Sequence, residues 1–506
     1  MGEPTVEGAP GRRRPNILFV VSDQERQRDW LPPDVHLPHR QRLIDEGLEF
    51  TNYHTHSSPC SPSRASIMTG QYVPHHGVNE NVIHPFHRQL DPAVPTLGHA
   101  LRDQGYTTAY LGKWHLSHSP QPDMEAYGYG DWTGNDRQFM GWAGTGVAFD
   151  PDIAGQAARW LGAHGQDTEP WFLTVGLVNP HDVMWFPIDQ PWYQQAHPEE
   201  TARAKRFLDA AKWKESDSIP AYEGTCEPVN EQLPSNFDDD LHTKPAVQRQ
   251  WLHEQQHAWY GTIDRHDEPT WLRHLDYYVA LHRDGDRNLG LILDALDATG
   301  RADDTIVIFT SDHGDMCGSH GLRSKGPFVY DEIMRVPLYV RVPGLTRAGA
   351  KTAALATHVD LATTIALLGG AGRDDLATFR GEDLTPVLAD PSTSVRSHVL
   401  FAQDTAWYES CINLRYAIRG MYDGRFKYAR YYGVGGGSTP FGVQWPTPKR
   451  FDVDADFEDH DHELYDRVED PDELVNLAMD RSRRSEVRDR FAQLLQLETA
   501  AGFFTN

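Results

Sequence analysis

Residues 16–23 read Asn-Ile-Leu-Phe-Val-Val-Ser-Asp (NILFVVSD), five consecutive apolar side chains closed by Ser22 and Asp23. A short unalternating apolar run of this kind is the pattern of a strand buried on both faces of a parallel sheet. The pattern returns at Thr305–Thr310 (TIVIFT), again followed by Ser-Asp, here Ser311 and Asp312. Thr107–Leu111, stopped by Gly112, and Trp171–Val178 (WFLTVGLV) read as two more strands of the same sheet. Helical patterns at about 38–47, 60–69, 95–104, 152–163 and 271–298 stand between them. Strands alternating with helices specify an α/β fold: a large, mostly parallel sheet flanked by helices. Ligands bind such sheets outside the carboxyl ends of the strands. Asp23 and Asp312 are both expected there.

Outward from this frame, residues 1–14 read as a disordered lead and 15–386 as the α/β domain. A stretch at about 185–270, rich in Gln, His, Trp and acids and including Asp238–Asp240, breaks the strand–helix rhythm and reads as an insertion. After Pro386 the pattern turns to alternating aromatic segments (HVLFAQ, YAIRGMYD, FKYARYY), so 387–506 is expected to form a smaller α+β subdomain around a C-terminal antiparallel sheet. Asp452–Glu463 carries seven acids in twelve residues and reads as a solvated loop. No internal repeat is visible.

The chain has 506 residues, 47 Lys and Arg against 73 Asp and Glu, and a formal net charge of −26. That balance argues against a general nucleic-acid or anionic-membrane binder, since neutralising phosphates needs basic faces. It leaves room for a small anionic substrate in one local pocket. No stretch approaches the roughly eighteen uninterrupted apolar residues of a membrane span. The five-residue apolar run after Arg12–Arg14 is too short for a secretory leader, so a cytoplasmic enzyme is expected. The four cysteines, at 60, 226, 317 and 411, form no CxxC pair and suggest neither a zinc clip nor a dense disulfide framework.

Two constellations carry chemistry. Asp23-Gln24 and Asp312-His313 bring two carboxylates, an amide oxygen and an imidazole to one sheet edge, a plausible cage for a hard divalent cation. A strand-end aspartate taken alone is more often a cap or turn residue; the repeat of the pattern weakens that alternative. The second constellation is His54–Gly70 (HTHSSPCSPSRASIMTG), in which Cys60, Pro62 and Arg64 form C-x-P-x-R at a helix start. A helix N-terminus offers free N–H groups and partial positive charge, which suit an anionic transition state.

C-S-P-S-R followed by Ala-Ser-Ile-Met-Thr-Gly-Gln-Tyr resembles the type I sulfatase signature of the alkaline phosphatase superfamily. Pro15–Asp23 is similar to that family's opening strand, Gly112–Leu116 (GKWHL) to its sulfate-binding strand, Ser311–Gly321 with Lys325 to its second metal segment, and Glu463–Ala478 to its C-terminal segment. The resemblance implies hydrolysis of a small organic sulfate ester. It implies that Cys60 is oxidised to formylglycine (3-oxoalanine) by a formylglycine-generating enzyme and hydrated to a geminal diol. One hydroxyl would attack sulfur and displace the alcohol; loss of the other hydroxyl's proton would expel sulfate, one hard displacement becoming two easier steps. Arg64 would hold the formylglycine, Lys113 and Lys325 would bind sulfate oxygens, and His115 would contact the diol. His181, in Asn-Pro-His-Asp, would protonate the leaving oxygen, and Asn81 would be a further substrate contact. Asp23, Gln24, Cys60, Asp312 and His313 would form the metal site.

This chain carries Gln24 where many family members have a second aspartate, and His313 where an asparagine is common. Calcium is the first expectation, with manganese or magnesium as alternatives. The same two residues resemble the choline-sulfatase and phosphonate-monoester-hydrolase branches, so a phosphonate monoester or phosphodiester hydrolase is the alternative activity; the intact GKWHL favours sulfate. A non-catalytic anion-binding protein that keeps Cys60 as a thiol is a third reading. Lys113 and Lys325 could be surface lysines and most of the 26 histidines structural; His54, His56, His75 and His76 have no assigned role. Trp185, Phe186, Trp192 and Tyr193 could stack on a leaving group or form the core of the insertion.

Overall fold

A computed structural model of the chain describes residues 14–83, 85–210, 226–257, 260–409, 412–435 and 456–504. Of the expected disordered lead, residues 1–13 lie outside this set, while Arg14 donates to the Gln104 carbonyl. In chain order the strands are Asn16–Asp23 (β1), Leu48–Phe50 (β2), Tyr53–His54 (β3), Thr107–Gly112 (β4), Trp171–Pro180 (β5), Thr305–Ser311 (β6), Leu338–Arg341 (β7), Ala350–Thr352 (β8) and Ala356–Thr357 (β9). They continue with Val399–Glu409 (β10), Ile412–Tyr422 (β11), Phe426–Gly435 (β12) and Asp461–Asp466 (β13). Seven form the large sheet, in the order β4-β5-β1-β6-β7-β2-β8. β4, β5, β1 and β6 are mutually parallel, and β7 alone runs against its neighbours β6 and β2. The C-terminal sheet, β10-β11-β12-β13, is antiparallel throughout.

Alternation along β1 explains the helical layers. Ile17, Phe19 and Val21 enter one core cluster, on the side of the Cys60–Thr69 and His358–Leu368 helices. Leu18 and Val20 enter the other, on the side of the Thr145–His164 and Glu268–Ala298 helices. All five are fully buried, worth about 1.5–3 kcal/mol each in apolar transfer. A strand with both faces covered has no polar positions, which is why NILFVV does not alternate.

Register sets the functional edge. β1 and β6 pair without a slip from Asn16 opposite Thr305 to Ser22 opposite Ser311, so Asp23 and Asp312 leave adjacent strands at the same level. On the other flank Asp23 lies opposite Pro180, which starts the His181 segment beside it. Gly112 ends β4 opposite Gly176, and Lys113 N–H donates to the Gly176 carbonyl at 2.9 Å. Gly112 has φ +82°, and a Cβ there would lie 2.1 Å from the Gly176 oxygen, so only glycine lets the chain turn into Lys113 at this point.

Several boundaries differ from the sequence expectations. The 152–163 helix begins earlier, at Thr145, and carries Pro151 inside it. The 95–104 helix contracts to Leu97–Arg102, where Thr96 caps it by accepting from His99 N–H. The 271–298 helix starts at Glu268, capped by the Asp267 side chain. The Asp452–Glu463 stretch is solvated only in part where it is described: Asp456, Glu458 and Asp459 are exposed, and its end is not a loop. Asp461–Glu463 lies in β13, and Glu463 is buried, accepting from Tyr431, Tyr465 and Gln248 at 2.5, 2.6 and 2.8 Å. Residues 451–455 fall outside the described set. Described residues of the 185–270 stretch form the helices Pro191–Ala196, Pro198–Ala210 and Ala246–His257. Cys60, Cys226 and Cys317 are free thiols, and Cys411 lies outside the described set. Among the described residues no helix is long and apolar enough to cross a membrane.

Candidate active site

Cys60 opens the Cys60–Thr69 helix, whose ten residues are all buried. No side chain of the preceding residue caps this helix. Its start is instead fixed from outside: Ser61 N–H donates to Asn81 Oδ1 at 3.0 Å, and Ser61 Oγ donates to the His115 carbonyl at 2.5 Å. The helix ends at Gly70, in the left-handed region. Nearly three turns of buried helix therefore aim the Cys60 sulfur into the site.

Four functional groups ring that sulfur. Lys325 Nζ lies at 2.9 Å, His313 Nε2 at 3.2 Å, Asp23 Oδ1 at 3.6 Å and Lys113 Nζ at 3.9 Å. Arg64, one turn along the helix, bridges the two strand-end carboxylates: Nη2 to Asp23 at 2.8 Å and Nε to Asp312 at 2.9 Å. Lys113 Nζ pairs with Asp23 at 2.7 Å and donates to the Met140 carbonyl at 2.7 Å. Burial alone would raise the Asp23 carboxyl, but Lys113, His181 and Arg64 outweigh it and hold Asp23 well below the usual carboxylate range. Burial and the neighbouring Asp23 push Asp312 upward. For Lys325, burial opposes the charge, and Cys60, Asp23 and Asp312 overcome it and raise the ammonium.

Gln24 sits at φ +68° and His115 at φ +58°, a conformation costing on the order of 1–3 kcal/mol for a residue with a side chain. The surroundings hold both. Gln24 N–H donates to Asp312 at 3.1 Å, its amide donates to Asp315 at 2.5 Å, and its carbonyl oxygen accepts from Lys325 Nζ at 2.6 Å. The Trp114 and His115 N–H groups both donate to Asp136, at 2.9 Å, and burial pushes that carboxyl up to about 6. Both His115 ring nitrogens and His181 Nδ1 are buried without a protein partner. Burial, reinforced by Lys113 and Lys325, holds both imidazoles well below the ordinary histidine value. A small cavity of about 50 Å³ opens on this group, lined in part by Asn81, His115, His181 and Lys325.

Ligand atoms of Asp23, Cys60, Asp312 and His313 lie within 4.8 Å of one another. Two buried carboxylates and an imidazole Nε2 whose other nitrogen, Nδ1, is tied to the Gly314 carbonyl at 2.9 Å suit a divalent cation. The donor set therefore fits a metal, with the Gln24 oxygen adjacent through Lys325.

The structure thus brings together all eleven residues singled out from sequence: Asp23, Gln24, Cys60, Arg64, Asn81, Lys113, His115, His181, Asp312, His313 and Lys325. The neighbouring histidines serve the scaffold. His56 bonds the Leu400 carbonyl at 2.8 Å, His76 bonds Ser66 at 3.1 Å, and His54 bonds Asn52 at 2.9 Å. His75 ring-packs beside Tyr72 and Phe503. Of the four aromatics at 185–193, Trp185 lines the cavity; Phe186 stacks on His274 and Tyr193 on His197 in the packing of the insertion, and Trp192 stands at the surface. Asp136, Asp315, Met140, Trp142 and Met184 were not anticipated. Asp315 had a signal, being the second acid, after Asp312, in Ser311–Gly321; Asp136 had none.

Residues 15–371 match the family model described as Sulfatase, and residues 318–437 match one described as N-sulphoglucosamine sulphohydrolase, C-terminal. The chain is 25% identical over 417 residues to the N-acetylglucosamine-6-O-sulfatase of Bacteroides thetaiotaomicron, covering 74% of this chain and 71% of that one. Its fold is similar to that of a 2-O GAG sulfatase, with TM-score 0.69 and 20% identity over 97% of this chain and 93% of the other. It is also similar to the phosphonate monoester hydrolase of Silicibacter pomeroyi, with TM-score 0.68 and 19% identity over 96% of each chain.

Proposed function

The chain belongs to the sulfatase family, and from that premise we propose that it hydrolyses an organic sulfate monoester to alcohol and sulfate using a formylglycine formed from Cys60. The observation that carries the proposal is the ring of Lys325, His313, Asp23 and Lys113 within 4 Å of the Cys60 sulfur, with Lys325 also lining the adjoining cavity beside His115 and His181. Hydrated formylglycine at this position supplies a hydroxyl nucleophile that a thiol does not. Asp23, Gln24, Asp312 and His313 would hold the divalent cation, which supplies Lewis acidity. Their two carboxylates and amide oxygen favour calcium, and the imidazole leaves manganese or magnesium as alternatives.

The chain's own residues do the rest. Lys113 and Lys325 are buried cations placed to take the sulfate oxygens, where low dielectric makes each worth more than in water. Arg64 pairs with both carboxylates and fixes their direction. Burial first, and then Lys325 and Lys113, hold His181 low; an anionic sulfate between the two lysines would offset the charge part of that shift and favour His181 as the donor to the leaving oxygen. Asp136 fixes the His115 backbone so that its ring, free of protein partners, meets the nucleophile.

Phosphonate monoester hydrolysis is the second reading, favoured by Gln24 and His313 together. The buried Lys113, a second cation for a sulfate oxygen, supports sulfate over it. The test is maturation with a formylglycine-generating enzyme, followed by peptide mass and aryl sulfate turnover on one preparation. An aldehyde at position 60 with turnover supports the proposal. An intact thiol in the native cell would favour the anion-binding reading.

A further inference from the structure

The cavity beside Lys325, whose Nζ touches the Cys60 sulfur, has two kinds of wall. Beyond the four polar residues already placed in the site, every described residue lining it is apolar or glycine: Ile83, Met140, Gly141, Trp142, Met184 and Trp185. The indole N–H groups are already used. Trp185 Nε1 donates to the Gly141 carbonyl at 2.8 Å and Trp142 Nε1 to the Arg137 carbonyl at 3.0 Å. The two rings stand 6.3 Å apart, tilted by 44°, both nearly buried. They offer a ligand ring surface rather than donors.

Gly141 locks this wall against the acid–base group. It has φ +106°, and a Cβ there would lie 2.3 Å from the His181 ring, so glycine is what lets the Met140–Trp142 segment approach the imidazole. A leaving oxygen within reach of His181 therefore carries its organic group along this aromatic and thioether surface.

Charge restricts that group further. Among the described lining residues Lys325 is the only lysine or arginine, and there is no carboxylate. Lys325 is committed to the reacting sulfate, and Asn81 Oδ1 to Ser61 N–H. A second sulfate on the substrate would meet no further cation among the described lining residues, and sugar hydroxyls turned to the Ile83, Met140, Trp142, Met184 and Trp185 wall would lose water without regaining partners.

Building on the sulfate-ester reading above, we propose that Trp142, Met184 and Trp185 select a compact, uncharged, apolar leaving group, a single aryl or short alkyl unit bearing one sulfate, and discriminate against sulfated sugars.

Calorimetric binding to calcium-loaded Cys60→Ala full-length protein, which cannot turn over, tests this apart from catalysis. Phenyl sulfate is expected to bind at least tenfold tighter than N-acetylglucosamine 6-sulfate. Trp185→Ala or Trp142→Ala in that background should remove this preference while leaving inorganic sulfate binding unchanged; Trp185→Phe, which keeps a ring, should retain it. Equal or tighter binding of the sugar sulfate overturns the inference without any variant of the wall having to fold, and so does an unchanged preference in both alanine variants. If phenyl sulfate shows the expected preference but matured protein hydrolyses no sulfate ester, the catalytic proposal fails and the pocket inference stands. If matured protein hydrolyses the sugar sulfate faster than phenyl sulfate, the reverse holds.

Discussion

Lys325 Nζ lies 2.9 Å from Cys60 Sγ, a full ångström closer than Lys113 Nζ at 3.9 Å. The two cations are therefore not equivalent: Lys325 faces the Cys60 sulfur, while Lys113 is shared with Asp23. Lys325→Met is expected to lower kcat/KM for an aryl sulfate by about 10²–10³, as removal of one transition-state donor does elsewhere. Steady-state kinetics with a circular-dichroism check of folding measures it.

Arg64 is expected to support stability as well as the proposed site. It is 1% exposed and bridges Asp23 and Asp312, so Arg64→Ala strands two buried carboxylates. Breaking a buried pair by removing one partner costs about 3–5 kcal/mol. Denaturant unfolding of the metal-free protein should show a loss of that size. A loss under about 1 kcal/mol would mean that Lys113 and Lys325 suffice to balance the pair.

His181 is expected to matter in proportion to how poor the leaving group is. An acid contributes most when the departing oxygen is basic, so His181→Gln should slow phenyl sulfate far more than 4-nitrophenyl sulfate. The dependence of log kcat/KM on leaving-group pKa should steepen in the variant. Parallel lines for variant and parent would remove His181 from the acid role.

Histidines buried in the scaffold set the acid limit of stability. Burial lowers His54, His56 and His274 to about 3, against an ordinary value near 6.5. Between pH 3 and 6.5 the unfolded chain binds more protons than the folded one, so stability rises with pH across that window and is fully present above it. Each such histidine should cost about 1.4 kcal/mol per pH unit once pH falls well below 6.5. Unfolding free energies at several pH values from 7.5 down to 5 should show the decline, and His56→Gln should flatten it by about one proton.

What was legible in the sequence follows from where burial is two-sided. β1 and β6 announce themselves because both faces are covered, and their Ser-Asp ends are in register because the strands are neighbours. The strands β2, β7 and β8 are three or four residues long, too short for any period, so the reversed strand β7 had no sequence signal. Within the site, residues that act through side chains stood in recognisable spacings. Asp136, which acts by holding two backbone N–H groups, sits far along the chain from the residues it serves. The apolar wall of Trp142 and Met184 was equally hidden, since an isolated Trp or Met reads as ordinary core. The end of the acid-rich 452–463 stretch misled for a related reason: Glu463 is buried because Tyr431 and Gln248 converge on it from distant positions, joined by Tyr465 two residues along the strand.

The most direct test of sulfate monoester hydrolysis is kcat/KM of the matured, calcium-loaded protein for an aryl sulfate and for the matching aryl phosphonate monoester. The account predicts a clear preference for the sulfate, abolished for both substrates by Cys60→Ala. A preference for the phosphonate would contradict it and make Gln24 and His313, rather than Lys113, the residues that decide the substrate.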